Sequence, residues 1–241
     1  MCSKRKKQKY NNEIKLELNG EVIEEVESAK YLGVYIDHKL TFKQHINHIT
    51  QKLRRGNTLI ARLRHFIDLK SMINFYYANI QSFINYGAIA WTTAAKSYID
   101  KVSALQKTSV KLLFPKNLVN PNENSYFKES NILPLEKYIF LTRCVFFWKI
   151  VHDVFDENIL LTFNNIEKQP DFDSSRKFIM PFRSTSAGLN FLTCSGIKQW
   201  HRLDQAITGL KSLPFLREKQ RSFSTNNSLQ NFKLGTTYST N

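Results

Sequence analysis

The stretch from Phe42 to Phe66, FKQHINHITQKLRRGNTLIARLRHF, decides how the rest of the chain is read. Within it Ile46, Ile49, Leu53, Gly56, Ile60 and Leu63 recur at alternating spacings of three and four. That spacing predicts one long amphipathic helix with a narrow packing seam, about 36 Å from end to end. Thr41 stands where an N-cap belongs. A helix with one apolar seam needs partners, and the sequence supplies them at once. Asp68 is placed to cap a second helix, whose apolar face carries Leu69, Met72, Ile73, Tyr76, Ile80, Phe83, Ile84 and Gly87. Ser97 can cap a third, with Tyr98, Val102, Leu105 and Leu112 on one side and Pro115 as its stop. Long helices joined by short loops predict an antiparallel bundle over residues 41–115.

Upstream the period changes. Ile14, Leu16 and Leu18 alternate with Lys15 and Glu17, the period of a half-buried strand. Asn19-Gly20 then offers positive φ at both central positions of a type I′ hairpin turn, and Glu21 to Val26 forms the return strand. Tyr31-Leu32-Gly33-Val34-Tyr35-Ile36 is almost wholly apolar and reads as a third, buried strand. Leu32 is expected in the core there, packed on the first two helices, and Gly33 marks a bulge or the close approach of other chain. Residues 1–40 therefore form a basic lead and a small strand segment.

Downstream, Asn117, Asn120, Pro121, Asn122, Asn124 and Pro134 interrupt the helical pattern, as a domain boundary or long connection does. A helix from Leu135 to about Phe155, apolar nearly all round, should form the centre of a second small core. Residues 156–190 read mostly as loop, and 195–223 as one or two short helices on Ile197, Trp200, Leu203, Ile207 and Leu213. Residues 116–223 thus make a smaller helical C-terminal region, and the Ser/Thr/Asn-rich tail 224–241 reads as disordered. The fold class expected is mainly α with a small N-terminal β segment.

Composition narrows the function. The chain has 241 residues, 42% hydrophobic and 13% aromatic, enough to bury a core and too much for a chain disordered throughout. No apolar run approaches the roughly 18 residues a membrane helix needs, and no signal peptide opens the chain, so a nuclear or cytoplasmic protein with no membrane partner is expected. Cys2, Cys144 and Cys194 are too scattered for a disulfide framework or a zinc box. No Gly-rich phosphate loop, Gly-x-Ser-x-Gly elbow or Cys-x-x-Cys is present. The adjacent acids Glu24 and Glu25 would point to opposite faces of a strand, so no carboxylate pair for two-metal chemistry is visible. His45 and His48, three apart on a helix, lack a nearby third ligand for a metal. Cys144 sits on an apolar helix as a small hydrophobe rather than a nucleophile.

Charge is the positive clue. A net +15 arises from 35 Lys and Arg against 20 Asp and Glu. Between Asp37 and Asp68 there is no acid, whereas Lys39, Lys43, Lys52, Arg54, Arg55, Arg62 and Arg64 all fall there. On a helical wheel Lys43, Asn47, Gln51, Arg54, Arg55, Thr58 and Arg62 lie within about 70° of the side opposite the seam. A merely solvated face usually mixes in acids for i,i+4 pairing. A face of donors alone fits a phosphate backbone, with Lys43, Arg54, Arg55 and Arg62 as its contacts.

The block Glu13–Asp37, with Lys30-Tyr31-Leu32-Gly33-Val34-Tyr35-Ile36-Asp37 at its end, then Leu40-Thr41-Phe42 and His45-Ile46, resembles non-LTR retrotransposon reverse transcriptases of the jockey branch just beyond their catalytic palm. Tyr86-Gly87 with Trp91, Leu105-Gln106-Lys107, Ile132-Leu133-Pro134-Leu135 and Ser195-Gly196-Ile197-Lys198-Gln199-Trp200 extend the likeness, although His201 and Asp204 depart from the family's usual Asn and Pro. The resemblance implies that Tyr31, Leu32, Gly33 and Val34 form a primer grip and that the three helices form a thumb. It also implies a template–primer partner, an RNA–DNA hybrid or duplex held through its backbone. The family's magnesium ions belong to palm carboxylates that would lie before residue 1. The expectation is therefore a fragment with no cofactor and no enzyme activity of its own, working with a palm-containing polypeptide of the same element. The alternative is an inert or protein-interaction remnant.

Overall fold

The computed structural model describes residues 16–114, 123–151, 154–156 and 192–200. The basic lead Lys4-Arg5-Lys6-Lys7, the strand start at Ile14, most of the loop expected over 156–190, the helices expected beyond Trp200 and the tail 224–241 lie outside the described residues. Within them the fold is mainly α with a small antiparallel β segment at the N-terminal side.

That segment is two hairpins rather than three strands. β1 (Leu16–Leu18) pairs with β2 (Glu21–Ile23) around the Asn19-Gly20 turn, with both central φ values positive at 54° and 84°. β3 (Ser28–Tyr31) pairs with β4 (Val34–Asp37) around a second turn of the same form, Leu32-Gly33, at φ 44° and 81°. The run Tyr31–Ile36 is thus no continuous buried strand. Tyr31 and Leu32 are 66% and 73% exposed at the turn, so the expectation of a core Leu32 is wrong. Gly33 is needed for its positive φ, and other chain does approach it. A Cβ there would stand 3.0 Å from Cε1 of Tyr86.

Asp37 joins the hairpin to the first helix, α1 (Lys43–Leu63). Its carboxylate accepts from the backbone N–H groups of Lys39, Thr41 and Phe42 at 3.1, 3.0 and 2.8 Å. Thr41 is therefore not the N-cap. Its hydroxyl donates to Asp37, and the cap position falls to Phe42 in the left-handed region, with no side-chain cap of its own. Burial tends to raise the Asp37 pKa, but these hydrogen bonds outweigh it and hold the carboxyl below its usual range. Ser28 donates from its hydroxyl to Gln44 in the first turn of α1, a second tie between hairpin and helix.

The seam of α1 is buried as its spacing requires: Ile46, Ile49, Leu53 and Ile60 are 3% exposed or less, and Leu63 packs against the same core. Asp68 caps α2 (Leu69–Tyr76) by accepting from the N–H of Ser71. Leu69, expected on the apolar face, is exposed in the first turn. Met72, Tyr76, Ile80 and Ile84 are all buried although they stand four apart, more than one α-helical turn. A π-helical turn over Tyr77–Gln81 takes up the excess before α3 (Ser82–Asn85), which keeps the four on one face. Gly87 at φ 60° then ends this helix and opens α4 (Ala88–Trp91).

The third long helix, α5 (Lys96–Leu112), begins after Ala95, not after a Ser97 cap. It packs chiefly on α1. Its buried face is Ile99, Val102, Gln106, Ser109 and Val110, while Tyr98, Leu105 and Leu112 pack at its margin. Gln106 is fully buried and fully engaged. Its Nε2 donates to the Tyr76 hydroxyl and the Leu133 carbonyl, both at 3.0 Å, and its Oε1 accepts from the Leu135 N–H at 2.7 Å. The start of α7 (Leu135–Val151), which follows the short α6 (Glu123–Glu129), is thereby fastened to the bundle. Leu135 and Ile139 belong to the bundle's core, while Cys144, Phe147, Trp148 and Ile150 are buried further along. α8 (Leu192–Trp200) packs on α7. Gly196 lies so close to the Phe147 ring that a Cβ there would meet Cε2 at 1.9 Å.

Candidate nucleic-acid interface

The outer face of α1 is as the wheel requires. Lys43, Asn47, Gln51, Arg54, Arg55, Thr58 and Arg62 are all exposed. Lys43, Arg54, Arg55 and Arg62 have no ion-pair partner among the described residues. The buried seam opposite fixes the rotation of the helix about its axis, and that rotation turns the basic side chains outward.

The second surface is the β3–β4 turn. The structure places Tyr31, Leu32, Gly33 and Val34 together there, next to the start of α4 rather than in a sheet interior. The Tyr86 hydroxyl donates to the Leu32 carbonyl, and the Tyr86 ring covers Gly33. Val34 faces Gly87, where a Cβ would come within 2.9 Å of its Cγ2. Trp91 is fully buried, and its Nε1 donates to the Tyr86 carbonyl at 3.1 Å, so the support under the turn is itself held by the core.

A row of rings joins β4, α1 and α4. Tyr35 of β4 stands 5.5 Å from the His48 ring and 6.5 Å from the His45 ring, and His45 lies 6.5 Å from Trp91. His45 is 3% exposed, and neither ring nitrogen has a hydrogen-bond partner among the described residues. Burial, with a smaller contribution from His48, pushes its pKa down to about 4, so the ring is neutral at pH 7. Reading from sequence missed Lys30, which lies over Tyr35 at 5.6 Å from its centroid, and gave Tyr86 no place beneath the turn. The signal was present only as types of residue, since contacts across such sequence distances have no spacing to reveal them.

No group of three or more His, Cys, Asp or Glu among the described residues could hold a metal ion. Burial raises the Cys144 thiol to about 12, which leaves it protonated and inert. No helix among the described residues is long and apolar enough to cross a membrane.

Comparison with known proteins gives these surfaces a context. The chain is 36% identical over 98 residues to an RNA-directed DNA polymerase from the mobile element jockey of Drosophila melanogaster, a match over 39% of this chain and 11% of that protein. It is 29% identical over 104 residues to a probable RNA-directed DNA polymerase from transposon BS of the same species, over 41% of this chain and 11% of the relative. A third relative, from the transposon X-element of that species, is 30% identical over 89 residues, 36% of this chain and 10% of its own length. The chain thus spans about a tenth of the curated relatives it matches. No family model and no solved structure matches it. The homologues are polymerases of jockey-type non-LTR elements, and the chain is similar to a segment of such reverse transcriptases. The expectation of a non-enzyme is corrected by the same finding. The relatives are enzymes by name, and the group to which the likeness points is enzymatic.

Proposed function

We propose, starting from this similarity to RNA-directed DNA polymerases of mobile elements, that the chain grips a template–primer duplex through its sugar–phosphate backbone. The thumb-like bundle supplies the basic outer face of α1, with Lys43, Arg54, Arg55 and Arg62 as the phosphate contacts. The turn Tyr31–Val34 supplies the primer-grip-like surface. A palm-containing polypeptide of the same element is the proposed partner. The observation that carries this reading is the exposed face of α1, whose cations have no acid among them and no ion pair to neutralise them.

An exposed Arg on such a face neutralises about one phosphate and releases its condensed counterion. Binding should therefore weaken steeply with salt and vary little with base sequence, because backbone contacts position a duplex without reading it. The experiment is a salt titration on an RNA–DNA hybrid with wild type and the variant Arg54→Gln, Arg55→Gln, Arg62→Gln. The variant should stay folded, since exposed helix positions accept Gln at a few tenths of a kcal/mol. Its slope of log K against log salt should flatten by about two to three units, equally for unrelated sequences. Identical slopes would reduce the basic face to a solvated surface.

A further inference from the structure

We infer that Lys30, His48 and Lys52 form a phosphate-binding notch where the β3–β4 hairpin meets α1, closed by Arg55 at the edge of the outer face and lying beside the outer-face contacts Lys43, Arg54 and Arg62. The inference rests on the duplex reading above and deepens it.

His48, Lys52 and Arg55 stand at positions i, i+4 and i+7 of α1, one line along the helix between the outer face and the hairpin. Lys30 reaches the same place from β3, so two separate elements supply the cations. Their positions are set by aromatic supports. Lys30 lies over Tyr35 at 5.6 Å, His48 stands against the same ring at 5.5 Å, and Lys52 lies over Phe83 at 5.8 Å. None of the four has an ion-pair partner among the described residues. Four basic groups gathered with no counter-charge repel one another, and that repulsion is relieved by an anion placed among them.

His48 stands within reach of the other three charges. Burial and then the charges of Lys52, Lys30 and Arg55 hold its pKa below the ordinary imidazole value, so the ring is neutral near pH 7. Among the described residues, the charged and titratable groups facing it are those three cations, neutral His45 one turn earlier on α1, and the ring of Tyr35 on β4. No carboxylate is among them. An anion in the notch reverses the local field, and the imidazole takes a proton from solvent as the phosphate binds. Phosphate affinity and His48 protonation are therefore linked: each favours the other. The site thus takes a phosphodiester of the duplex backbone or a free phosphate by the same chemistry, and only a backbone phosphate can also engage the outer face of α1.

Two measurements on the full chain test this. In the first, the His48 imidazole is followed by proton–nitrogen correlation spectroscopy across pH, alone, with inorganic phosphate, and with a short RNA–DNA hybrid. The His48 pKa should rise when the notch is filled. A rise with phosphate alone shows that a free anion suffices, and a rise with the hybrid only shows that a polymer backbone is required. No rise with either overturns the inference. In the second, hybrid binding is measured at several salt concentrations and between about pH 7.5 and 5.5. Lys30→Gln and Lys52→Gln should each flatten the salt slope by about one unit. Wild type should bind about three- to tenfold more tightly at the lower pH, and His48→Gln should lose that gain. If an outer-face double variant, Arg54→Gln with Arg62→Gln, loses binding while Lys30→Gln, Lys52→Gln and His48→Gln behave as wild type, the duplex reading stands and the notch falls. If wild type binds no hybrid, the duplex reading falls, and the His48 titration with inorganic phosphate decides the notch by itself.

Discussion

The hydroxyl of Tyr86 donates a hydrogen bond to the carbonyl of Leu32, across 54 residues of sequence. Leu32 needs that support. It occupies the first central position of a two-residue hairpin turn at φ 44°, a region that costs an ordinary L-residue roughly 1–2 kcal/mol. Tyr86→Phe removes the bond and keeps the ring over Gly33. It should lower stability by about 1 kcal/mol. Hydrogen exchange should speed up at the amides of residues 31–34 before it does in α1 or α5. Unchanged protection at the turn would mean that ring packing alone holds it.

The same geometry predicts a gain at Leu32. Asn tolerates positive φ far better than Leu does, as the neighbouring Asn19-Gly20 turn illustrates. Leu32→Asn should therefore stabilise the fold by about 0.5–1 kcal/mol. Leu32→Asp, at a position 73% exposed, should melt close to wild type. A large loss of stability from Leu32→Asp would place this side chain in a core after all.

Gln106 offers the opposite case. It closes a buried network with Tyr76, Leu133 and Leu135, and the Tyr76 hydroxyl in turn donates a hydrogen bond to Oε1 of Gln81 at 2.8 Å. Gln106→Leu keeps comparable volume but strands a backbone N–H, a carbonyl and part of a hydroxyl's bonding. The loss should be about 2–4 kcal/mol, read as a lower urea midpoint at similar slope. A variant as stable as wild type would show that these groups find other partners.

His45 sets the acid limit of stability. Its pKa is 6.5 when exposed and about 4 when folded, so between those values the unfolded chain binds more protons than the folded one. Stability is therefore fully present above pH 6.5 and drains away as pH falls toward 4. His48 acts in the same direction, and Asp37, with its lowered pKa, loses its contribution only below the usual carboxylate range. His45→Leu should flatten the decline between pH 6.5 and 4, measured by urea melts across pH. An unchanged decline would assign it to other groups.

At the far end of the molecule, Gly196→Ala should push α8 from α7. The added methyl would overlap the Phe147 ring, which is buried and cannot simply swing aside. Limited proteolysis should cut at the C-terminal side sooner, while the melting of α1 and α5 stays near wild type. Equal protease resistance would mean that α7 and α8 separate without cost.

What the sequence determined by itself is what repeats along it. The seam Ile46–Leu63 fixes both that α1 is a helix and which way it faces. Because the opposite side follows by rotation, Lys43, Arg54, Arg55 and Arg62 could be placed on the surface without coordinates. Asn19-Gly20 and Asp68 were legible for a related reason, since each residue type carries its own local backbone or capping preference. The tertiary structure alone decided the rest. Leu32-Gly33 is a turn only because Tyr86, Gly87 and Trp91 come to lie beneath it, and Leu by itself favours no such conformation. Gln106 turns inward only because Tyr76 and the residues around Pro134 meet it there. Lys30 joins His48 and Lys52 only when the hairpin folds back on α1. Periodicity and capping are short-range effects written within a few residues, whereas these contacts join segments tens of residues apart, and only the packed core selects among them.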